Sequence, residues 1–167
     1  MTNADQNTSL LHQAAILADQ FKPRAADFDR ARKLDQDASD AMAEAGFYRL
    51  FVPEHLGGLE ASPVVSAQIF ERLAQGSAAC GWVAFIAATS GSTLGSIPEE
   101  TARAIFSHPN TMVAGVFAPS GQASVDAGQV TVNGRWQWGS GTQNADWVLG
   151  GCLVDSGGET SSQHMVL

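Results

Sequence analysis

The sequence is poor in basic residues and in cysteine, and it lacks the common signatures of catalytic and nucleotide-binding sites. It has 9 Lys and Arg against 17 Asp and Glu, so its formal net charge is −8. A nucleic-acid surface needs clustered Lys and Arg to contact phosphates, so this balance argues against nucleic-acid binding. The sequence also contains no basic amphipathic stretch, which gives a role at a membrane surface little support.

Cysteine usage and the N-terminus predict a cytoplasmic protein. Cys80 and Cys152 are far apart and form no Cys-x-x-Cys pair, so no disulfide framework is expected and a reducing compartment fits. Residues 1–9 are polar and have neither the basic start nor the apolar run of a secretory signal. The most apolar segment, 78–88, is about half as long as a membrane span, which predicts a buried helix.

Several motifs that carry chemistry are missing. No serine is at the centre of a Gly-x-Ser-x-Gly motif, and there is no P-loop. The 4 histidines show no metal-binding spacing, so no metal site is predicted. The segment Gly139-x-Gly141-x-x-Asn144 lacks the third glycine of a dinucleotide-binding turn, and no predicted helix follows it.

The residues that are present predict helices first and strands second. In the first two thirds of the chain, apolar residues recur with the period of amphipathic helices. Asp35 and the Ser62-Pro63 pair are predicted to begin helices, and Gly46 is predicted to end one. From Thr111 the period changes to two, which predicts strands, with Asn133-Gly134 as a hairpin turn.

This order of elements predicts an α+β fold rather than alternating βαβ units. We expect a helical domain over residues 1–110 and an incomplete β-domain over residues 111–167. The strand region is too short to close a barrel and ends within its pattern. We therefore expect further residues to cover its open edge.

Two segments combine groups that a flavin ring needs. Residues 115–121 are predicted to end a strand in a turn with free backbone amides, and residues 133–141 place Trp136, Trp138 and Ser140 on a hairpin. A flavin binds backbone N–H donors at its pyrimidine edge, an aromatic side chain against its ring and a hydroxyl at N5. Composition alone leaves a second interpretation open, because tryptophans on hairpins more often pack against neighbouring strands.

Three motifs in consistent order resemble those of the acyl-CoA dehydrogenase superfamily, and the resemblance covers about residues 10–167. Residues 47–58 are similar to the segment that links its early helices, which runs into a Pro-Glu-x-x-Gly-Gly turn. Residues 115–121 resemble its strand and Pro-Gly turn that contact flavin. Residues 133–141 resemble its Asn-Gly-x-Lys-x-Trp-Ile-Thr-Asn-Gly hairpin. The fold implied is a helical N-terminal domain, a middle antiparallel β-barrel domain and a C-terminal four-helix bundle, the last absent from this chain.

Departures from the dehydrogenase pattern favour one branch of the superfamily. Residues 117–123 read Phe-Ala-Pro-Ser-Gly-Gln-Ala where dehydrogenases have Thr-Glu-Pro and then Gly-Ser-Asp, and residues 134–141 read Gly-Arg-Trp-Gln-Trp-Gly-Ser-Gly. Both segments resemble those of two-component flavin monooxygenases that act on aromatic compounds and sulfur heterocycles. A His-Ala pair follows the hairpin in that branch, whereas this chain has Asn144-Ala145, so a histidine contact expected by analogy is absent.

The resemblance implies one set of site residues for flavin and another for substrate. Ser140 would be the catalytic group, through a hydrogen bond near the flavin N5 atom. The residues implied for flavin binding are Val116, Phe117, Ala118, Trp138 and Ser140. The residues implied for substrate binding are Trp82, Ala88, Gly121 and Gln122.

The function implied is that of a flavin-dependent oxidoreductase that uses FAD or FMN. The favoured interpretation is a monooxygenase that receives reduced flavin from a partner reductase and hydroxylates a hydrophobic or aromatic small molecule. The alternatives are an acyl-CoA dehydrogenase, which desaturates a thioester with FAD, and a truncated chain without activity. Family analogy alone implies a homotetramer.

Overall fold

A computed structural model describes residues 3–155 and 162–167, in which helices precede strands. The helices are α1 Asn3–Phe21, α2 Ala25–Ala31, α3 Gln36–Glu44, α4 Pro63–Gly76, α5 Ala78–Ser92 and α6 Glu99–Ile105. The strands are β1 Val113–Asp126, β2 Gln129–Gly134, β3 Trp147–Asp155 and β4 Ser162–Val166. The predicted succession of a helical region and a strand region is confirmed, while the domain boundary at residue 110 stays a prediction.

The helix ends follow the predicted local chemistry. The Asp35 Oδ1 atom accepts a hydrogen bond from the Ala38 N–H at 3.0 Å and caps α3. The Ser62 Oγ atom accepts from the Val65 N–H at 3.3 Å, and Pro63 is the first residue of α4. Gly46 follows α3 with a φ of 79°, a left-handed conformation that favours glycine.

The main hydrophobic core forms around α5. Ala84, Ala87 and Ala88 of this helix are fully buried, and their small side chains let neighbouring elements approach closely. Met112, just before β1, and Ala114, within β1, belong to the same buried cluster. The sheet is therefore anchored to the helical core through its first strand.

Helix α5 continues beyond the most apolar segment, 78–88, and ends at Ser92. With the 3₁₀ turn that follows it, the stretch Ala78–Ser96 is 19 residues long and apolar enough to cross a membrane, judged by length and composition alone. Half of that window is buried within the protein, and core helices of soluble proteins meet the same criterion. The packing of α5 agrees with the predicted buried helix.

The sheet is mixed, with strand order β2-β1-β3-β4. The pairs β1–β2 and β3–β4 are antiparallel, and the central pair β1–β3 is parallel. The sequence predicted antiparallel strands throughout. The difference arises because residues 135–146 form an irregular connection and turns instead of a returning strand.

The hairpin turn lies six residues before the predicted one. Ala127 and Gly128 form the turn, with φ angles of 47° and 81°, and Asp126 pairs with Gln129 on either side of it. The predicted turn residues Asn133 and Gly134 instead lie within β2, where Gly134 pairs with Gly121. The prediction was wrong because β1 continues beyond its first segment, which moves the turn to its far end.

Candidate functional site

Strand β1 bulges where the sequence predicted that it ends. Val116 pairs with Gly150 and Gly121 pairs with Cys152, so residues 117–120 have no register partner on β3. Their pairing with β2 also begins only at Gly121. The predicted turn is therefore a bulge within one continuous strand, and it carries Phe117 and Ala118 to the protein surface.

Trp136 fills a slot formed by glycines of β1 and β3. Its Nε1–H donates to the Gly151 carbonyl oxygen at 2.8 Å. A Cβ atom on Gly121 would lie 2.4 Å from the Trp136 ring, and one on Gly150 would lie 2.8 Å from it. The first hairpin tryptophan thus has the packing role that composition alone favours.

Trp138 has the opposite environment. Its side chain is 91% exposed, and its φ of 62° lies in a region that non-glycine residues rarely adopt. The Trp138 carbonyl oxygen accepts a hydrogen bond from the Ser140 N–H at 2.8 Å, which joins the two residues in one tight turn. An exposed aromatic ring on a strained backbone is a feature that binding sites commonly show.

The turn after Trp138 is held against the helical domain. The Thr142 Oγ1–H donates to the Gly139 carbonyl oxygen at 2.7 Å, and the Asn144 N–H donates to the Gly141 carbonyl oxygen at 3.0 Å. The Asn144 side chain then forms two hydrogen bonds with the backbone of Leu34, in the linker between α2 and α3. These bonds fix the position of Ser140 relative to the helices.

Ser140 and Trp82 line one cavity of about 280 Å³ between this turn and helices α2 and α5. Phe28, Val83 and Gly141 contribute to the same wall. The structure thus brings together two residues that the sequence assigned separately to the flavin and to the substrate. Their roles at this cavity stay predictions.

The indole of Trp82 forms part of the cavity wall while half of its surface faces solvent. It is 53% exposed and stacks on Phe85, with ring centroids 5.4 Å apart and an interplanar angle of 27°. Phe85 in turn makes an edge contact with Phe70 at 5.6 Å. This packing holds the Trp82 indole in place at the cavity wall.

The other predicted site residues lie away from this cavity. Ala88 is fully buried in the helical core, and Gly121 lies against Trp136. Gln122 is exposed and pairs with Asn133 on β2. Val116, Phe117 and Ala118 lie at or on the bulge, where the Phe117 carbonyl oxygen accepts a hydrogen bond from Gln163 Nε2 at 3.1 Å.

The sequence did not single out the two basic residues of the cavity. Arg32 and Lys33 follow α2 and line the cavity, but in the sequence they belong to an ordinary mixture of charged residues. The hydrogen bonds between Asn144 and the backbone of Leu34, 110 positions apart, hold these two residues near the turn that bears Ser140. Across residues 3–155 and 162–167, no group of three or more His, Cys, Asp or Glu side chains could hold a metal ion.

The helical domain, the mixed sheet anchored on α5 and the turn bearing an exposed tryptophan and a serine define a class: the N-terminal part of an acyl-CoA dehydrogenase-like protein. The family described as acyl-CoA dehydrogenase, N-terminal domain, matches residues 4–106. Because this match covers more than half of the chain, the protein belongs to the acyl-CoA dehydrogenase family.

Proteins similar in sequence to this chain include flavin-dependent monooxygenases. The chain is 37% identical to the indole-3-acetate monooxygenase of Pseudomonas putida, over 76% of this chain and 33% of that protein. It is 31% identical to the oxygenase subunit HsaA of a flavin-dependent monooxygenase of Rhodococcus jostii, over 82% of this chain and 36% of that protein. The chain thus spans about a third of the length of these relatives.

A solved structure shares the fold of nearly the whole chain. The HsaA monooxygenase of Mycobacterium tuberculosis superimposes with a TM-score of 0.86 at 26% identity, and the match covers 96% of this chain and 43% of that one. The resemblance of residues 117–123 and 134–141 to the two-component monooxygenase branch agrees with these relatives.

Proposed function

We propose that the whole protein is the oxygenase component of a two-component flavin-dependent monooxygenase that hydroxylates a hydrophobic or aromatic small molecule. The observation that carries this proposal is the position of Ser140 at the cavity beside Trp82, two residues after the exposed Trp138. One short turn thus carries an exposed aromatic ring and, two residues later, a hydroxyl that lines an aromatic-walled cavity.

The residues present fit a flavin ring. The exposed indole of Trp138 offers the aromatic surface against which such a ring packs. The bulge residues 117–120, which lack register partners, offer backbone groups at the exposed edge of the sheet. Ser140 is a hydroxyl that both donates and accepts hydrogen bonds, as a group near N5 must.

Each part of the site has a distinct task in this proposal. Bound reduced flavin would supply the activation of oxygen for insertion of one oxygen atom into the substrate. Trp138 would hold the flavin ring, and Ser140 would hydrogen-bond near N5. Phe28, Trp82 and Val83 would bind an apolar substrate and exclude water from the reacting groups.

The proposal includes the partners that such chemistry needs. A separate flavin reductase would supply reduced FAD or FMN, and a small aromatic molecule would be the substrate. We also propose a cytoplasmic homotetramer, by analogy with the family. The mass of the whole protein in solution tests the oligomeric state, and release of the bound flavin followed by its mass distinguishes FAD from FMN.

The test of the reaction uses the whole protein, including any residues encoded after Leu167. The protein is mixed anaerobically with chemically reduced flavin and an aromatic compound such as indole-3-acetate, and ¹⁸O₂ is then admitted. We expect a product that contains one ¹⁸O atom and forms only with reduced flavin. Oxidation of an acyl-CoA without added reductant would instead establish a dehydrogenase, and absence of both reactions would support the inactive chain.

A matched pair of serine variants tests the role of Ser140. Ser140→Ala is expected to form more hydrogen peroxide and less hydroxylated product, because the group near N5 is lost while the cavity remains. Ser124→Ala alters an exposed serine of β1 and should leave the ratio of the two products unchanged. Equal product ratios in the two variants would exclude the proposed role of Ser140.

A further inference from the structure

We propose that the cavity beside Ser140 selects aromatic compounds that carry an anionic group such as a carboxylate, and that Arg32 and Lys33 bind this group. The inference rests on the proposed function, because it names the substrate class of the same site. It concerns two residues to which neither the sequence motifs nor the resemblance assigned a role.

The cavity has an apolar wall and a cationic edge. Phe28, Trp82 and Val83 provide the apolar wall, and Arg32 and Lys33 line the same cavity. An aromatic ring packed on Trp82 would therefore lie near two positive charges. Arginine and lysine are the side chains that bind carboxylates most strongly, and arginine does so through a two-pronged guanidinium.

Two arginines near Arg32 and Lys33 in the sequence are engaged in ion pairs. Arg24 forms an ion pair with Asp35, and Arg30 pairs with Asp27 at 2.8 Å. In the part of the chain that the structure describes, neither Arg32 nor Lys33 has an ion-pair partner. Their charges are thus available to a ligand.

The charge of the cavity is opposite in sign to the net charge of the chain. Asp29 is the acidic residue among the cavity-lining side chains, so it leaves the pair Arg32 and Lys33 with a surplus of one positive charge. The chain as a whole has a formal net charge of −8. A positively charged cavity in such a protein favours anionic ligands over neutral ones.

The backbone at Arg32 points to a use for its side chain. Arg32 ends α2 with φ 56° and ψ 26°, a left-handed conformation in which glycine is the relaxed residue. An arginine there is strained, and strain of this kind is concentrated at binding sites.

The cavity volume limits the size of the ligand. At about 280 Å³ it lies near the lower end of the range for small-molecule sites, roughly 300–1,000 Å³. One or two fused rings with a short acidic substituent suit this space. A phosphate of the flavin is the other anion that Arg32 and Lys33 could bind, so the test must separate the two sources.

The test measures binding to the whole protein by calorimetry in the absence of flavin. The probes are indole-3-acetate and its neutral amide, indole-3-acetamide, which share ring and length. We expect the acid to bind about tenfold more tightly than the amide, the ratio that one charged hydrogen bond predicts. Arg32→Gln and Lys33→Gln should each remove most of this preference and leave the affinity for the amide unchanged.

Two further variants distinguish loss of the anion site from misfolding and from a general loss of positive charge. Arg32→Gly relaxes the left-handed backbone, so it should fold at least as well as the parent and still lose the preference for the acid. Lys22→Gln removes an exposed cation that does not line the cavity and should change nothing. Loss of the preference in Lys22→Gln as well would overturn the assignment to Arg32 and Lys33.

Equal affinity of the parent for the two probes, or no affinity for either, overturns the proposal. So does a result in which the Arg32 and Lys33 variants bind reduced flavin more weakly but keep the preference for the acid, because the anion would then be the flavin phosphate. Failure of the hydroxylation assay with an intact preference for the acid would refute the proposed function and leave the anion site standing.

Discussion

The side-chain amide of Asn144 pairs with the backbone of Leu34 in both directions. Its Nδ2–H donates to the Leu34 carbonyl oxygen at 2.9 Å, and its Oδ1 atom accepts from the Leu34 N–H at 3.1 Å. The pair joins the turn that bears Ser140 to the linker that bears Arg32 and Lys33. It therefore holds together two of the segments that line the candidate cavity.

Asn144→Asp is expected to weaken this junction. The aspartate keeps an acceptor for the Leu34 N–H but loses the donor, and it places a carboxylate oxygen against a carbonyl oxygen. We expect the free energy of unfolding to fall by about 1–3 kcal/mol, the cost of an unsatisfied and repelled polar group. Chemical denaturation of the whole protein measures it. Gln143→Ala, at an exposed neighbour, is the control, and equal losses in the two variants would contradict the role of the pair.

Trp138→Gly separates ligand binding from folding. Glycine relaxes the left-handed backbone but adds freedom to the unfolded chain, so we expect the free energy of unfolding to change by less than about 1 kcal/mol. Loss of the exposed ring should raise the Kd for reduced flavin by up to about tenfold, the worth of one aromatic contact. Anaerobic fluorescence titration measures the Kd. Trp138→Phe should retain part of the affinity, and an unchanged Kd in both variants would mean that Trp138 does not contact flavin.

Trp136→Ala should, in contrast, mainly lower the stability of the protein. The Trp136 ring fills the space left by Gly121 and Gly150 and donates to the Gly151 carbonyl oxygen. Its removal leaves a cavity and an unpaired carbonyl, and we expect a loss of about 3 kcal/mol in the free energy of unfolding. The measurement is thermal unfolding of the Trp136→Ala and Trp138→Gly variants under the same conditions. A Trp136 variant no less stable than the Trp138 variant would contradict the assigned packing.

Local chemistry made the helical half of the fold predictable. Asp35 and Ser62 cap α3 and α4 because their side-chain oxygens reach free N–H groups three residues later, a geometry fixed by the sequence alone. The hairpin was not predictable in this way. Asn133-Gly134 is a stronger turn signal than Ala127-Gly128, but Gly134 is needed in β2, where a Cβ atom would lie 2.7 Å from the Gly121 Cα.

The candidate site likewise has residues that a local sequence pattern predicts and residues that only the fold reveals. Ser140 and Trp138 were found through the resemblance of one hairpin motif, which is a local pattern. Arg32 and Lys33 were not singled out because a charge at the surface and a charge at a cavity look alike in a sequence. They differ only in what the fold places opposite them, and here that is the turn held by Asn144.

The thiol of Cys80 makes the stability of the helical core sensitive to alkaline pH. Burial raises the pKa of this thiol to about 11. Because the folded state holds the proton more tightly than the unfolded state, whose thiol pKa is near 9.0, this contribution to stability is complete below that pH. It is lost as the pH rises through about 11.

The Cys80→Ala variant tests whether ionisation of this thiol lowers the stability of the protein at alkaline pH. Between pH 8 and pH 10 we expect the free energy of unfolding of the parent to fall more than that of the variant, because only the parent gains a thiolate on unfolding. Comparing the two proteins cancels the titration of Lys and Tyr residues common to both. Urea unfolding at the two pH values is the measurement. If the free energy of unfolding falls equally in the parent and in the variant between these pH values, the buried thiol does not govern the pH dependence.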